Sequence, residues 1–335
     1  MIVLLRGDES PSTLLSSVPD PVGPERIEVI FVAARGAELG PAREWCARDP
    51  AARIVEAESA ATSDLRRAGL AAATAEWVAF PRTDDRYGPA ALTVVADFAA
   101  TAPADVAVIG LNVVRKHESG GLRDTHPSRH RFAQGNRTAD LREEPSAIQT
   151  HLPSAFLRRS TVAGQEARML APSSASDDAL LIAATLSTND QLSVGLLADA
   201  QFVEGIRPLA DEEFIGFRVD ADNYLRRVAA VRELVEAAPR SEWLGWAAVH
   251  ELSSILRHER ATPRKATALD HAQKVELVAD AVAVMRVVGS RVVTEYTASF
   301  MSDELRAVLS GWAGVSGPQK PRWTRVDRRT ERALV

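Results

Sequence analysis

The 335-residue chain is 46% hydrophobic and 25% charged with a formal net charge of −5, an ordinary globular balance with length enough for two domains. The acidic excess argues against nucleic acid as a partner, because broad nucleic-acid binding needs clustered positive charge. The single cysteine, Cys46, excludes an internal disulfide framework and suits a reducing compartment, and no apolar run is long enough to cross a bilayer as a transmembrane segment.

The opening MIVLLRGDES reads as a first strand and not a signal peptide, since no basic residues precede the apolar run and acid follows at once. A cytoplasmic protein is expected, or one peripheral at the inner membrane face. Residues 27–32 (IEVIFV) form a β-branched, nearly continuous run, as in a strand buried on both faces. Residues 42–48 read as helix and 53–56 (RIVE) as a short strand. Residues 64–73 read as a helix with Thr62, Ser63 or Asp64 as N-cap. Residues 76–80 (EWVAF) form a strand that stops at Pro81. A helix over 90–99 and a buried strand over 106–112 (VAVIGLN) follow. Strands spaced by helices of this length predict right-handed crossovers and a mostly parallel α/β sheet with helices on both faces. Residues 113–150 turn polar, a long excursion of the kind that carries function. A helix over 178–186 and short strands over 194–197 and 201–203 resume the core. Beyond Asp220 the β signals fade, and helical spacing marks 224–237, 242–257, 269–288 and 302–312, punctuated by Pro239, Pro263 and Gly289. The expected organisation is an α/β domain over 1–215, a smaller α-helical domain over 216–315, and a tail or linker over 316–335.

Two acidic corners could carry chemistry. The strand ending at Pro81 delivers Asp84 and Asp85 to the carboxyl edge of the sheet, where open α/β folds bind ligands; taken alone, such a pair is also a solvated turn. Asp177 and Asp178 open an apolar helix, where a carboxylate is stabilised, and alone they also serve as a plain cap. Phosphate-loop, dinucleotide, nucleophile-elbow and zinc patterns are absent.

The run LRRAGLAAATAEWVAFPRTDDRYGPAAL over 65–92 resembles the pattern A-R-N-x-G, A-x-G-E-Y-(I/V)-x-F, L-D-x-D-D, P-x-x-L of the inverting family 2 glycosyltransferases, which have the GT-A fold. Further along, His126-Pro127-Ser128-Arg129-His130-Arg131-Phe132-Ala133, then Gly135-Asn136-Arg137, Ile148-Gln149 and Ser154-Ala155-Phe156 are similar to the teichoic-acid and capsule-type subgroup, often fused to a glycerol-phosphate polymerase. The resemblance implies a nucleotide-diphospho-sugar-binding domain. Its substrates would be a nucleotide diphosphate sugar, UDP-linked, and a hydroxyl of a polyol-phosphate or polysaccharide acceptor, with a polymerase as partner or fused domain. It implies Asp178 as the general base with Asp177 beside it, and Arg66, Arg82, Asp84, Asp85, His126 and Arg207 on the nucleotide-sugar side. Asp84 and Asp85 would be what is left of a site for Mg²⁺ or Mn²⁺.

The departures cut the other way. Arg82 stands where the first carboxylate belongs, Ala34 replaces an acid that grips the nucleoside, and Gly205 replaces the first arginine of an R-x-R pair that Arg207 completes. A site that loses a carboxylate and gains a cation should bind a divalent metal poorly. Arg82 could instead contact the diphosphate directly, since its fork matches phosphate oxygens. The alternatives are an inactive glycosyltransferase-fold module that binds polymer or a polymerase, and an unrelated α/β binding protein.

Overall fold

The computed structural model describes residues 1–7, 9–19, 27–116, 121–123, 126–163, 178–187, 192–205, 221–238, 241–261, 269–298, 301–314, 325–327 and 332–334. Backbone contacts divide the chain into two compact units, Met1–Phe214 and Ile215–Val335.

The first unit opens with β1 (Ile2–Leu5), the short helix α1 (Ser12–Leu15), β2 (Ile30–Ala33), α2 (Gly40–Arg48), β3 (Arg53–Glu56) and α3 (Thr62–Ala72). β1, β2 and β3 pair in parallel in that order. The β-branched run of β2 is fully buried, as a central parallel strand requires. The chain leaves β2 through Gly36, whose φ of +83° lies in the left-handed region that favours glycine. α3 starts after Ala61 without a side-chain cap, so Thr62, Ser63 and Asp64 lie inside its first turn instead of capping it. Two of the three are otherwise engaged: Arg6 donates to Thr62 Oγ1 and Ser59 donates to Asp64.

Next come β4 (Trp77–Ala79), β5 (Arg86–Tyr87), α4 (Ala91–Thr101), β6 (Val106–Lys116), β7 (Leu122–Arg123), β8 (Arg137–Asp140), β9 (Ala155–Arg158), α5 (Arg159–Val162), α6 (Asp178–Leu186) and β10 (Ser193–Glu204). These strands form a second, mixed sheet in the order β4-β9-β6-β10-β5, with β7 on β6 and β8 on β10. β6 and β10 run parallel, while β5, β7, β8 and β9 pair antiparallel with their neighbours. The parallel character expected from the sequence therefore holds for β1–β3 and for the β6/β10 centre, and the polar stretch between them supplies antiparallel strands. β10 is one strand with a bulge where the sequence suggested two pieces. Leu197 pairs with Leu111 and Gln201 pairs with the next residue, Asn112. Asn136 clasps the bulge, donating Nδ2 to Asp199 at 3.0 Å and accepting from the Asp199 N–H at 3.0 Å. Leu5, Phe31, Leu111 and Phe202 are fully buried in the core between the sheets and their helices.

The second unit contains α7 (Ala221–Ala237), α8 (Glu242–Ala261), α9 (His271–Val288), α10 (Ser290–Glu295) and α11 (Asp303–Trp312). Trp243 and Trp246 are core residues at 3% and 4% exposure. Asp270 and Gln273 form a reciprocal capping box on α9. Gly289, at φ +78°, ends α9 where the sequence placed a break, and a short helix, α10, that the sequence did not single out follows it. Arg227 of α7 is ion-paired with Glu251 of α8, both all but fully buried. Within the stretch read as a tail, Arg325–Asp327 and Arg332–Leu334 pair as two short antiparallel strands. Among the described residues no helix is long and apolar enough to cross a membrane.

Candidate functional site

β4 ends at Ala79, and the chain turns through Phe80-Pro81-Arg82-Thr83-Asp84-Asp85 into β5. Asp85 is 1% exposed and pins this corner. Its Oδ2 accepts the backbone N–H of Arg82 at 3.1 Å, and its Oδ1 accepts the backbone N–H of Gly205 at 3.0 Å, just past the end of β10. Burial pushes its carboxyl up to about 6, against the pull of the Arg82 charge. Gly205 lies flat on Asp84: a Cβ there would fall 2.5 Å from Asp84 Oδ2 and 2.7 Å from the Asp84 carbonyl oxygen. The corner and the end of β10 are thus one locked assembly.

Asp178, the first residue of α6, is also buried. Its Oδ1 accepts from Arg66 of α3 at 2.8 Å, and its Oδ2 lies 3.7 Å from the Arg82 guanidinium. Arg66 is itself buried, is stacked over Phe80 at 5.8 Å, and keeps its Nε without a hydrogen-bond partner. The structure therefore gathers Arg66, Arg82 and Asp178 into one ion cluster, with Asp85 holding the backbone beneath it and Asp84 packed against Gly205. Asp177 and Arg207 lie outside the described residues.

His126 stands in a neighbouring group that the sequence only partly revealed. Its ring meets His151 edge-on at 5.6 Å, and His151 meets Phe202 at 6.0 Å. His151 Nδ1 is 2.9 Å from Ser154 Oγ, and its Nε2 lies 3.7 Å from Glu204 Oε1. Glu204 also accepts from Arg115 Nε at 2.6 Å, across the registered pair of β10 and β6. Burial drives both imidazoles toward the neutral form, His126 down to about 4; Arg115 presses His126 the same way, and His126, Arg82 and Arg115 press His151. Gln149, fully buried, donates Nε2 to Ser154 Oγ at 3.1 Å. His151, Glu204 and Arg115 were missed in the sequence because a histidine beside Leu-Pro and a charge pair at strand ends carry no motif. Only strand register could have found the latter.

Among the described residues no group of three or more His, Cys, Asp or Glu side chains is placed to hold a cation. Mg²⁺ and Mn²⁺ take several oxygen ligands. Here Asp85 has committed both oxygens to backbone N–H groups, and Asp178 lies between two guanidiniums. A divalent ion at this corner would have to strand two buried donors and sit against like charge. The residues present do not fit one.

No protein-family model matches the chain, and no curated protein does. Solved structures are similar. S. aureus TarS 1-349 in complex with UDP-GlcNAc shares 14% identity over 93% of this chain and 86% of that one, with a TM-score of 0.63. TarS 1-349 in complex with UDP gives 14%, 94%, 87% and 0.56. The longer S. aureus TarS chain gives 14% identity over 93% of this chain and 52% of its own, at 0.57. At that identity the likeness speaks to the fold, and with the sheets and helices above it makes this chain an α/β protein of the GT-A type followed by a helical unit.

Proposed function

We propose that the chain is an inverting glycosyltransferase that moves a sugar from a nucleotide diphosphate sugar, UDP-linked, to a hydroxyl of a cell-wall or capsular polymer. The observation that carries this reading is the convergence of Arg66 and Arg82 on Asp178, with α3, the β4 corner and the start of α6 meeting at one point. Two guanidiniums are a receptor for a diphosphate. On this reading Asp178, ion-paired to both arginines before the donor binds, is the base that takes the acceptor's proton. In the reaction the acceptor oxygen attacks the anomeric carbon from the face opposite the diphosphate. Its proton passes to the Asp178 carboxylate, and the anomeric carbon–oxygen bond breaks with its electron pair going to the diphosphate. The arginines stabilise the charge that develops on the leaving group. Solved structures of the same fold in complex with UDP and with UDP-GlcNAc support the choice of donor. A polyol-phosphate or polysaccharide acceptor, and a glycerol-phosphate polymerase as partner, rest on the sequence resemblance.

A second reading is favoured by the same carboxylates: Asp178 and Asp85 are both engaged within the fold. On that reading the chain is a non-catalytic module of glycosyltransferase fold that binds polymer or a polymerase. The experiment is a UDP-GlcNAc thermal-shift titration with a transfer assay on a polyol-phosphate polymer. The transferase reading requires stabilisation by the nucleotide sugar, and transfer that Asp178→Asn abolishes while the fold and donor binding persist. A chain that binds polymer but no nucleotide sugar belongs to the second reading.

A further inference from the structure

The Arg82 guanidinium carries five N–H donors, is 20% exposed, and makes no hydrogen bond among the described residues; it lies 3.7 Å from Asp178 Oδ2 and its charge also acts on Asp85. Arg66 behind it uses one nitrogen on Asp178 and leaves Nε unpartnered in the interior. A guanidinium with uncommitted donors open to solvent, beside a second one whose Nε is buried without a hydrogen-bond partner, is chemically suited to a multiply charged oxyanion. The backbone holding Arg82 is fixed from below: Asp85 accepts its N–H at 3.1 Å and that of Gly205 at 3.0 Å. Because Gly205 has no side chain, β10 can close against Asp84. Asp85 thus braces an arginine and has both its oxygens committed to backbone N–H groups.

We propose that this site binds the diphosphate of its ligand without a divalent cation, through Arg82 and Arg66, and that Asp178 is the resident counterion the diphosphate displaces. The inference rests on the transferase reading's placement of a diphosphate here and goes beyond it in two ways. It assigns Asp85 as a positioning residue acting through Arg82. It also makes donor binding the event that frees Asp178 from its arginines, so the carboxylate becomes available only when donor is in place.

The test is calorimetric titration of the full chain with UDP, in EDTA and then in MnCl₂. The dissociation constant should agree in the two buffers within about twofold and weaken only modestly with added salt, because partly buried ion pairs are screened less than exposed ones. Arg82→Gln should weaken UDP by roughly tenfold or more, the loss of one charge-assisted contact. Arg82→Lys should recover only part, because a point charge replaces a fork. Asp178→Asn should tighten UDP binding, since the competing anion is gone. UDP binding that appears only with MnCl₂ overturns the inference and leaves the transferase reading standing, as does Asp178→Asn binding more weakly than wild type. No UDP binding by folded protein in either buffer removes both. Should Arg82→Gln fail to fold, the chelator comparison and Asp178→Asn still decide the matter.

Discussion

Replacing Gly205 with alanine tests whether the end of β10 and the acidic corner are one assembly. The new Cβ would meet Asp84 Oδ2 at 2.5 Å and Cγ at 2.7 Å, and also the Asp84 carbonyl oxygen at 2.7 Å. The side-chain atoms can rotate away, but the carbonyl can move only if the turn moves. Overpacking of this kind costs about 1–3 kcal/mol. A shifted turn also lengthens the Gly205 N–H to Asp85 Oδ1 bond, now 3.0 Å, and a hydrogen bond to a charged group contributes about 1.5–3 kcal/mol. The two losses overlap, so we expect a total near 3 kcal/mol. In a unit spanning Met1–Phe214 that lowers Tm by roughly 6–12 °C. Gly121→Ala is the control, because its added Cβ meets nothing within 4 Å. Urea melts at constant pH with both variants give the comparison, and UDP titration of the folded fraction reports on Arg82. If Gly205→Ala unfolds at the same urea concentration as Gly121→Ala, the corner yields freely and Asp85 does not brace Arg82.

Other perturbations address other levels of the fold. Arg227→Ala should destabilise the helical unit by about 3–5 kcal/mol, because it leaves Glu251 charged and buried; equal urea midpoints for variant and wild type would contradict this. The depressed His126 has a defined sign: between pH 6.5 and about 4 the unfolded chain takes up a proton that the folded chain refuses, so stability falls as pH falls. The 2.5-unit window corresponds to about 3 kcal/mol, and His126→Gln should flatten this acid limb in urea melts at pH 7 and pH 4.5. Asp270→Ala removes the α9 capping box and should cost about 1 kcal/mol, read in the same melts.

What the sequence revealed and what it hid follow physical lines. Arg53–Glu56 and Asp178–Leu186 appear in the structure with the bounds read from the sequence, because a β-branched run and an Ala/Leu run each have one good local solution. β10 did not, since Ala198-Asp199-Ala200 breaks strand alternation and only a clasp from Asn136 makes those residues a bulge. The α3 cap failed because the helix begins after Ala61, with Thr62 engaged by the distant Arg6 and Asp64 by the adjacent Ser59. In the site, motif spacing singled out Arg66, Arg82, Asp84, Asp85 and Asp178 one by one. What spacing did not show is that Arg66 pairs with Asp178, since the two lie 112 residues apart. Nor could spacing show that Asp85 spends its oxygens on backbone amides, since an aspartate that binds and one that braces look alike in a string of letters.

The charges at the Asp178 corner bear on the choice between an arginine and a cation there. Arg66 and Arg82 face Asp178, and Asp85 lies beneath Arg82 with its carboxyl pushed up to about 6. On the proposed reading, a diphosphate would take up N–H donors that the Arg82 guanidinium leaves uncommitted among the described residues. A divalent ion added to the same cluster would sit against both guanidiniums and compete with them for the same oxygens. Had residue 82 been a carboxylate, the sign of the whole corner would be reversed and a cation would be needed to hold the same ligand. Arginine at 82 therefore does the electrostatic part of a metal's task and cannot share it. It supplies no open coordination position, so on the proposed transferase reading the activation of an acceptor hydroxyl is left to Asp178.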